Sequence, residues 1–388
     1  MIHTRHGSFE TPAFMPVGTK ASVKGLLPEL VRRTGSQILL GNTYHLMLRP
    51  GSSIIAAFGG LHRFMRWDGP ILTDSGGYQV FSMSDINRIS DEGVVFRSII
   101  DGSLVQLTPE RSMQVQNELG ADIIMAFDDC PPSADEAKAQ AGLEQARDPL
   151  ASSPHPRRGA READHAARLD IAMERTIRWL ERCVAAHARP DEQALLGIVQ
   201  GGTDLERRTT SAAQVCGIDL PGYAIGGVAV GEGTEEIRRV VEHTAPLLPS
   251  DRPRYLMGVG YEWDLVAAVR AGVDMFDCVL PTRNGRNANA FTREGPLRLR
   301  NACNSTDQRP IEEGCKCPAC GEGFSRGYLR HLFLAQEMLA PILVSLHNIA
   351  HFQRLMADLR RAVVDDDWGR LAAEWPVLRG CGPPAADF

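Results

Sequence analysis

The stretch Ile71-Leu72-Thr73-Asp74-Ser75-Gly76-Gly77 is a short apolar run that ends abruptly in polar residues and glycine. Other apolar runs of the 388-residue chain end in the same way, in a glycine, an acid or an amide. Together the runs lie at 38–40, 71–72, 123–127, 194–199, 223–225, 255–257 and 275–276. Continuous apolar runs are typical of parallel strands that are buried on both faces. Polar residues at the carboxyl ends of such strands predict the active site of an α/β barrel.

Helical patterns separate these runs, as expected for βαβ units. They cover residues 104–119, 171–186, 234–244 and 263–271. The first pattern contains Thr108-Pro109-Glu110, which is typical of a helix cap followed by proline in the first turn. We therefore predict a (β/α)8 TIM barrel of the α/β class. Its eighth strand is less obvious, and we place it at Pro296–Asn301, beyond a hairpin.

Composition limits the classes of protein to consider. The net charge is −6, so any surface that binds nucleic acid must be a local basic patch. No run reaches the ~18–20 apolar residues of a membrane span, and the start, Met1-Ile2-His3-Thr4-Arg5-His6, lacks the apolar region of a secretory signal. These features favour a cytoplasmic protein without a membrane partner.

The length suits one decorated barrel over residues 1–388, since such barrels use roughly 250 residues plus insertions. Two segments interrupt the alternation of strands and helices. Residues 142–165 are rich in Ala, Arg, Pro and Ser, and we predict a flexible surface insertion there. Residues 301–350 include a cysteine cluster, and we predict a zinc-binding subdomain, inserted before the last helix.

The cysteine cluster has the pattern Cys-x-Cys-x2-Cys, formed by Cys315, Cys317 and Cys320. Three thiolates at this spacing can converge on one tetrahedral ion, and sulfur ligands favour zinc. The fourth ligand is open among Cys303, His331, His347 and His351. We favour His347 because it lies on a predicted helix that could pack over the cysteines. A complete Cys/His shell leaves no open position, so one structural Zn²⁺ per chain is predicted.

Three aspartates follow predicted strands, namely Asp74, Asp128 and Asp277. In a closed barrel the carboxyl ends of the strands converge on one mouth. Two carboxylates that flank a sugar carbon can serve as nucleophile and as acid/base. Asp128 and Gln200 together offer an acceptor and an amide to the edge of a planar base. Tyr78 and Met257 offer surfaces on which such a base could stack.

Long ordered motifs make the chain resemble the bacterial tRNA-guanine transglycosylase family. They are residues 11–19, 41–46, 73–81, 197–202, 255–260 and 276–283, with the cysteine cluster and Leu346-His347-Asn348. The resemblance covers nearly the whole chain. It implies exchange of guanine at the wobble position of tRNA anticodons of sequence GUN for a 7-deazaguanine, preQ1, in queuosine biosynthesis. It also implies a homodimer.

The resemblance assigns roles to individual residues. Asp277 would attack the ribose anomeric carbon and hold a covalent intermediate, and Asp74 would act as acid/base. The substrate base would be bound by Tyr78, Asp128, Cys130, Gln200, Gly227 and Met257. Cys130 and Val230 match the bacterial pattern that is associated with preQ1. Arg283 and Arg286, in an arginine-rich segment that continues to Arg300, would bind anticodon-loop phosphates.

Three alternatives stay open at this point. The same fold could take queuine as the incoming base, although Cys130 and Val230 argue against it. The chain could be a non-catalytic tRNA-binding subunit, but both Asp74 and Asp277 are present. A zinc hydrolase on the same barrel would need metal ligands at the strand ends, and no histidine accompanies the aspartates there.

Overall fold

The strands of the computed structural model are short and follow the predicted rhythm. The structure describes residues 1–83, 88–132, 158–229 and 231–379. Its strands are β1 (Ile2–Thr4), β2 (Gly7–Phe9), β3 (Ala13–Pro16), β4 (Leu39–Gly41), β5 (Ile71–Thr73), β6 (Arg88–Ser90), β7 (Gly93–Arg97), β8 (Leu104–Leu107), β9 (Ile123–Met125), β10 (Ala194–Val199), β11 (Gly222–Ile225), β12 (Arg254–Leu256), β13 (Met275–Cys278), β14 (Asn289–Thr292) and β15 (Gly295–Arg298). All seven predicted runs overlap strands.

Eight of these strands form one parallel sheet in the order β3-β13-β12-β11-β10-β9-β5-β4. The two ends of the sheet meet at a parallel bridge between Val17 and Leu40, and the Gly18 amide donates to the Leu40 carbonyl at 2.7 Å. The sheet is therefore a barrel, as predicted. Apolar side chains of all eight strands are buried, which explains why the runs are apolar throughout and do not alternate.

The eighth barrel strand is β3, and the prediction of that strand at Pro296–Asn301 was wrong. Strand β15 instead pairs antiparallel with β14 in a hairpin, with Gly295 at the turn in the left-handed region (φ +121°). Hairpin pairing takes the backbone hydrogen bonds that a barrel strand would need. β3 pairs parallel with β13, in register from Ala13 opposite Met275 to Pro16 opposite Cys278.

Helices cover the outside of the barrel and build its C-terminal part. They are α1 (Pro28–Arg33), α2 (Thr43–Leu48), α3 (Ser52–Ala57), α4 (Leu61–Met65), α5 (Gly77–Met83), α6 (Pro109–Leu119), α7 (Arg158–Ala186), α8 (Leu205–Cys216), α9 (Thr234–Thr244), α10 (Glu262–Arg270), α11 (Leu280–Arg286), α12 (Pro318–Gly321), α13 (Arg326–Leu334), α14 (Leu339–Asp365) and α15 (Trp368–Glu374).

The helix predicted over 104–119 is shorter than expected. Residues Leu104–Leu107 form strand β8, which pairs with β7 in a three-stranded antiparallel sheet. The helix begins at Pro109, where the Thr108 hydroxyl caps it by accepting from the Arg111 amide at 3.2 Å. The cap signal was correct, whereas the apolar residues before it belong to the sheet.

The long helix α14 connects distant parts of the chain. The Gln353 amide donates to the Phe14 carbonyl in β3 at 2.9 Å, and the Asn348 amide donates to the Pro281 carbonyl in α11 at 2.9 Å. The buried His351 pairs with Glu262 of α10 at 2.9 Å. One face of α14 therefore packs on the barrel beside strands β3 and β13.

A second, smaller core lies against the other face of α14. It is formed by the hairpin β14–β15, the cysteine segment and helices α12 and α13. The boundaries 301–350 for a zinc-binding subdomain stay a prediction. Of the predicted insertion 142–165, residues 142–157 lie outside the described residues, and helix α7 begins at Arg158. None of the described helices combines the length and the hydropathy of a membrane-spanning segment.

Candidate active site

A cavity of about 430 Å³ opens at the carboxyl ends of the barrel strands. Most of the residues that the sequence singled out line it. They are Asp74, Tyr78, Asp128, Cys130, Gly227, Met257, Asp277 and Arg283. The two aspartates predicted to be catalytic, Asp74 and Asp277, are 203 positions apart in sequence (277 − 74), yet both line the same cavity. The barrel thus brings the predicted groups together at the mouth where such enzymes carry their sites.

Asp74 follows β5 and is buried among hydrogen-bond donors. The Asn42 amide and the Gln79 amide donate to its Oδ2, the latter at 3.1 Å, and the Thr43 main-chain amide donates to its Oδ1 at 2.8 Å. Burial raises the pKa of Asp74 to about 6 despite these bonds, and the charge of Asp277 adds to the increase. A carboxyl group with this pKa can both give and take a proton near neutral pH.

Asp277 belongs to β13 and shares the cavity with Asp74. Its Oδ1 accepts from the Tyr255 hydroxyl at 2.7 Å and from the Gly258 amide at 2.8 Å. Burial raises the pKa of Asp277, and the two hydrogen bonds oppose this increase. These two donors bind the same oxygen, which fixes the orientation of the carboxyl group in the cavity.

Asp128 and Gln200 form a polar edge beside the two catalytic candidates. The Gln200 amide donates to Asp128 Oδ2 at 2.7 Å, and the Ser75 hydroxyl donates to Oδ1 at 3.1 Å. Burial raises the pKa of Asp128 to about 6 against these bonds. Gly227 lies beside them in the left-handed region (φ +63°), where a Cβ would stand 2.3 Å from Gln200 Oε1. Only glycine permits this close approach of backbone to side chain.

The other predicted base-binding residues lie at the same cavity. Tyr78 is 46% exposed at the cavity and Met257 lies at the end of β12. Cys130 is buried and burial raises the pKa of its thiol, so the side chain stays neutral. Val230, which the sequence analysis had paired with Cys130, lies outside the described residues.

The two predicted RNA-binding arginines come from α11, directly after β13. Arg283 is exposed and lines the cavity, whereas Arg286 is partly buried. Burial and the charge of Arg283 lower the pKa of Arg286. Arg293, further along the same arginine-rich segment, instead pairs with Asp358 at 3.0 Å and lies over the Trp375 ring. That arginine has an internal structural role.

The three cysteines converge on His347 in the smaller core. His347 Nδ1 lies 3.7, 3.5 and 3.4 Å from the sulfurs of Cys315, Cys317 and Cys320, and all four residues are buried. Bonds of ~2.3 Å to sulfur and ~2.0 Å to nitrogen at a tetrahedral angle require S···N separations of about 3.5 Å. The group could therefore hold a metal ion. His347 Nε2 faces the Phe291 carbonyl at 2.7 Å, which leaves Nδ1 as the ligand atom.

Two of the other proposed ligands point elsewhere. His351 Nε2 pairs with Glu262, and Cys303 is exposed. Neither residue joins the four-residue group that could hold a metal ion among the described residues.

Several site residues were not assigned a role from the sequence. Asn42 and Gln79 bind Asp74, and Tyr255 and Gly258 bind Asp277. Asn42 could have been found, because it follows the first apolar run in the same way that Asp74 follows the second. Tyr255 gave no such signal, since it reads as part of an apolar strand. Its hydroxyl reaches Asp277 only because β12 and β13 are neighbours in the barrel.

Comparison with known proteins shows similarity over nearly the whole chain. The family model described as queuine tRNA-ribosyltransferase matches residues 1–149 and 160–377. A queuine tRNA-ribosyltransferase of Thermus thermophilus is 52% identical over 378 residues, covering 97% of this chain and 90% of the relative. Those of Synechococcus elongatus (49% over 374 residues; 96% and 90% covered) and Staphylococcus aureus (48% over 366 residues; 94% and 89% covered) are similar. The chain therefore belongs to the queuine tRNA-ribosyltransferase family.

Proposed function

We propose that the protein exchanges guanine at the wobble position of tRNA for the 7-deazaguanine preQ1, through a covalent bond between Asp277 and ribose. The observation that carries this proposal is the pair of carboxyl groups of Asp74, which is buried, and Asp277, which is partly buried, at one cavity whose rim offers a base-binding edge. Two carboxyl groups at one sugar carbon permit double displacement with retained configuration.

In the first half of the reaction, an Asp277 oxygen attacks C1′ of the ribose. The bond between C1′ and the guanine ring nitrogen breaks, and its electron pair leaves with the base, which takes a proton from Asp74. Positive charge develops on the sugar in the transition state, and the adjacent Asp277 carboxylate stabilises it. The hydrogen bonds from Tyr255 and Gly258 hold Asp277 in the orientation that attack requires.

In the second half, the Asp74 carboxylate takes the ring-nitrogen proton of the incoming base. That nitrogen attacks C1′, and the bond to Asp277 breaks to regenerate the carboxylate. A group that alternates between acid and base needs a pKa close to the working pH. The pKa of about 6 at Asp74 supports this assignment.

Base recognition is proposed for the polar edge and its flanking surfaces. Asp128 accepts hydrogen bonds from the N–H groups of the base, and Gln200 and the Gly227 backbone complete the edge. Tyr78 and Met257 would enclose the ring between them, and Cys130 would close the inner wall. The target nucleotide has to leave its stack to reach a cavity of this depth, as in other base-modifying enzymes.

Trapping the intermediate tests the mechanism most directly. The protein is incubated with an anticodon stem-loop RNA of GUN sequence without added base, and the denatured mixture is analysed by peptide mass spectrometry. We expect an RNA adduct on Asp277, and none with Asp277→Asn. Guanine exchange by Asp277→Asn at the wild-type rate would exclude Asp277 as the nucleophile.

The identity of the incoming base needs a separate assay. We propose preQ1 because Cys130, which matches the bacterial pattern associated with this base, is buried and lines the cavity together with Asp128. Replacement of labelled guanine in tRNA is measured with preQ1 and with queuine at matched concentrations. A strong preference for queuine would overturn the assignment of the base and leave the exchange chemistry intact.

We further propose that the metal ion is one structural zinc held by Cys315, Cys317, Cys320 and His347. These four side chains would fill the coordination shell of the ion, so it would supply no reaction step. It would instead fix α14 against the cysteine segment. Chelation should lower the melting temperature and weaken tRNA binding, with one zinc per chain found by metal analysis. Unchanged melting after complete zinc removal would refute the structural role.

Arg283 and Arg286 are proposed to contact the anticodon-loop phosphates, because both lie on α11, directly after the strand of the proposed nucleophile, and Arg283 lines the cavity. Replacing Arg283 with Ala should weaken tRNA binding for all cognate sequences alike and reduce its salt dependence. We also propose a homodimer, as expected for the family. Sedimentation at micromolar protein concentration tests it, and a monomer under those conditions would contradict it.

A further inference from the structure

Arg208 is a fully buried cation that the mechanism above does not use. It lies in the first turns of α8, and its side chain is 0% exposed. Burial lowers the pKa of Arg208 to about 10, so the guanidinium still carries its charge at neutral pH. A buried charge is costly unless hydrogen bonds satisfy it, so the position of these bonds is informative.

Four N–H groups of Arg208 donate to main-chain carbonyl oxygens. Nε donates to Gly202 at 2.8 Å, Nη2 to Gly227 at 3.0 Å, and Nη1 to both Val199 at 3.0 Å and Gly226 at 2.7 Å. These carbonyls belong to the carboxyl ends of two neighbouring strands, β10 and β11. One planar group thus holds together the two loops that carry Gln200 and Gly227.

The direction of these carbonyls fixes the direction of the amide that follows. The bond between Gly226 and Gly227 is trans, and in a trans peptide the C=O and N–H groups point to opposite sides. Since Arg208 binds the Gly226 carbonyl, the Gly227 N–H points away from Arg208. Gly226 and Gly227 both line the cavity, so that side is available to a bound base.

We infer that Arg208 is a positioning residue that aims the Gly227 N–H at the acceptor edge of the substrate base. The inference rests on the proposed base-binding role of this cavity. It also explains why a cation is used at this position: a guanidinium reaches four divergent carbonyls in one plane, which an ammonium group with three donors at one point cannot do.

The test compares Arg208→Met and Arg208→Lys with a control, Arg207→Met. Arg207 is the neighbour in sequence, but its side chain binds Asp170 and Asp204 on the surface. For each protein, guanine-exchange assays give the KM for guanine and the KM for tRNA. They also give the preference for guanine over 2,6-diaminopurine. The latter base presents a donor where guanine presents its oxygen.

For Arg208→Met we expect the KM for guanine to rise about tenfold, the effect of one lost hydrogen bond, with the KM for tRNA unchanged. The preference for guanine over 2,6-diaminopurine should fall, and Arg208→Lys should lie between Met and wild type. Arg207→Met should retain both the KM for guanine and the preference.

An unchanged guanine preference in Arg208→Lys or Arg208→Met would overturn the inference, as would an equal loss for guanine and tRNA. If Arg208→Met does not fold by circular dichroism, Arg208→Lys alone decides. Failure of the proposed function is distinguishable, because the wild-type protein would then exchange no guanine and trap no RNA on Asp277.

Discussion

The two ends of strand β9 each carry a buried aspartate, and the two acids behave in opposite ways. Asp122 precedes the strand at the amino end of the barrel, and Asp128 follows it at the cavity. Burial alone would raise the pKa of both. At Asp122, hydrogen bonds from His62, the Ile71 amide and His6 outweigh burial and lower the pKa to about 2. At Asp128 burial prevails, and the pKa rises to about 6.

The difference lies in how completely the protein satisfies each carboxyl group. Asp122 accepts four hydrogen bonds at 2.9 to 3.1 Å, and the two histidine rings that bind it are stacked with centroids 3.5 Å apart. Two near-parallel rings with centroids 3.5 Å apart cannot both point a nitrogen lone pair at one metal ion. We therefore interpret His6, His62 and Asp122 as a structural hydrogen-bond cluster. The cavity acids keep lone pairs for a substrate, at a cost in stability. The amino end thus serves the fold, and the carboxyl end carries the groups of the proposed reaction.

Among the variants that test this difference between the two ends of the barrel, Asp74→Asn should show the largest effect. Asp74→Asn removes the acid/base while keeping the shape of the side chain, so kcat for guanine exchange should fall on the order of 10³-fold. The free energy of unfolding at pH 7.5 should not fall, because a raised pKa means that the ionised group destabilises the fold. Steady-state exchange and urea titration measure the two quantities. If Asp74→Asn lost unfolding free energy in proportion to its loss of activity, the difference that we infer between the two ends of the barrel would be contradicted.

At the amino end of the barrel we expect the opposite result, a loss of stability without a loss of activity. Asp122→Ala leaves two main-chain amides and two histidines without their acceptor, and should cost about 3 kcal/mol of unfolding free energy. The kcat of the folded fraction should not change. Asp191→Ala, an exposed acid before β10, is the control and should lie within about 0.5 kcal/mol of wild type. Urea titration at neutral pH compares them.

A smaller effect concerns pH. The folded pKa of Asp128 lies above its unfolded value, so the folded chain binds more protons between pH 4 and about 6, and stability falls as pH rises through that window. Asp128→Asn should remove a decrease on the order of 2 kcal/mol between pH 4.5 and 7.5. Urea midpoints at the two pH values measure this. An unchanged pH dependence in the variant would contradict the raised pKa.

The smallest effect is expected at His6, which is partly exposed. His6→Ala removes one of several donors to Asp122 and should cost about 1 kcal/mol at neutral pH. His3→Ala, in the same hairpin but bonded to Ser8, is the matched control. If His6→Ala lost as much unfolding free energy as Asp122→Ala, the hydrogen-bond cluster around Asp122 would depend on a single bond.

Much of the barrel could be predicted because each inner strand is a short apolar run with a polar ending. This pattern singled out Asp74, Asp128 and Asp277, whereas the separate roles of Asp74 and Asp277 came from the resemblance to a known family. Strand β3 (Ala13–Pro16) is no shorter than most of the strands that were predicted, but it ends in Pro16 and not in a glycine, an acid or an amide. The segment Pro296–Asn301 was chosen instead, where Leu297 and Leu299 alternate with arginines.

Residues that act through the backbone or from a neighbouring strand could not be predicted. Arg208 looks like any arginine of an amphipathic helix until the carbonyls of β10 and β11 surround it. Asp122 precedes its strand, so the search for polar strand endings passed over it. In both cases the partners are distant in sequence and become visible only in three dimensions.

The contact between Gln353 and Phe14 joins residues 339 positions apart. During synthesis β3 leaves the ribosome early, yet its partners in β13 and α14 are among the later segments to emerge. The nascent chain therefore carries an unclosed sheet with free edges for most of translation, and such edges pair readily with other chains. We therefore expect the protein's dependence on chaperones to increase with the time that the ribosome takes to complete the C-terminal segments.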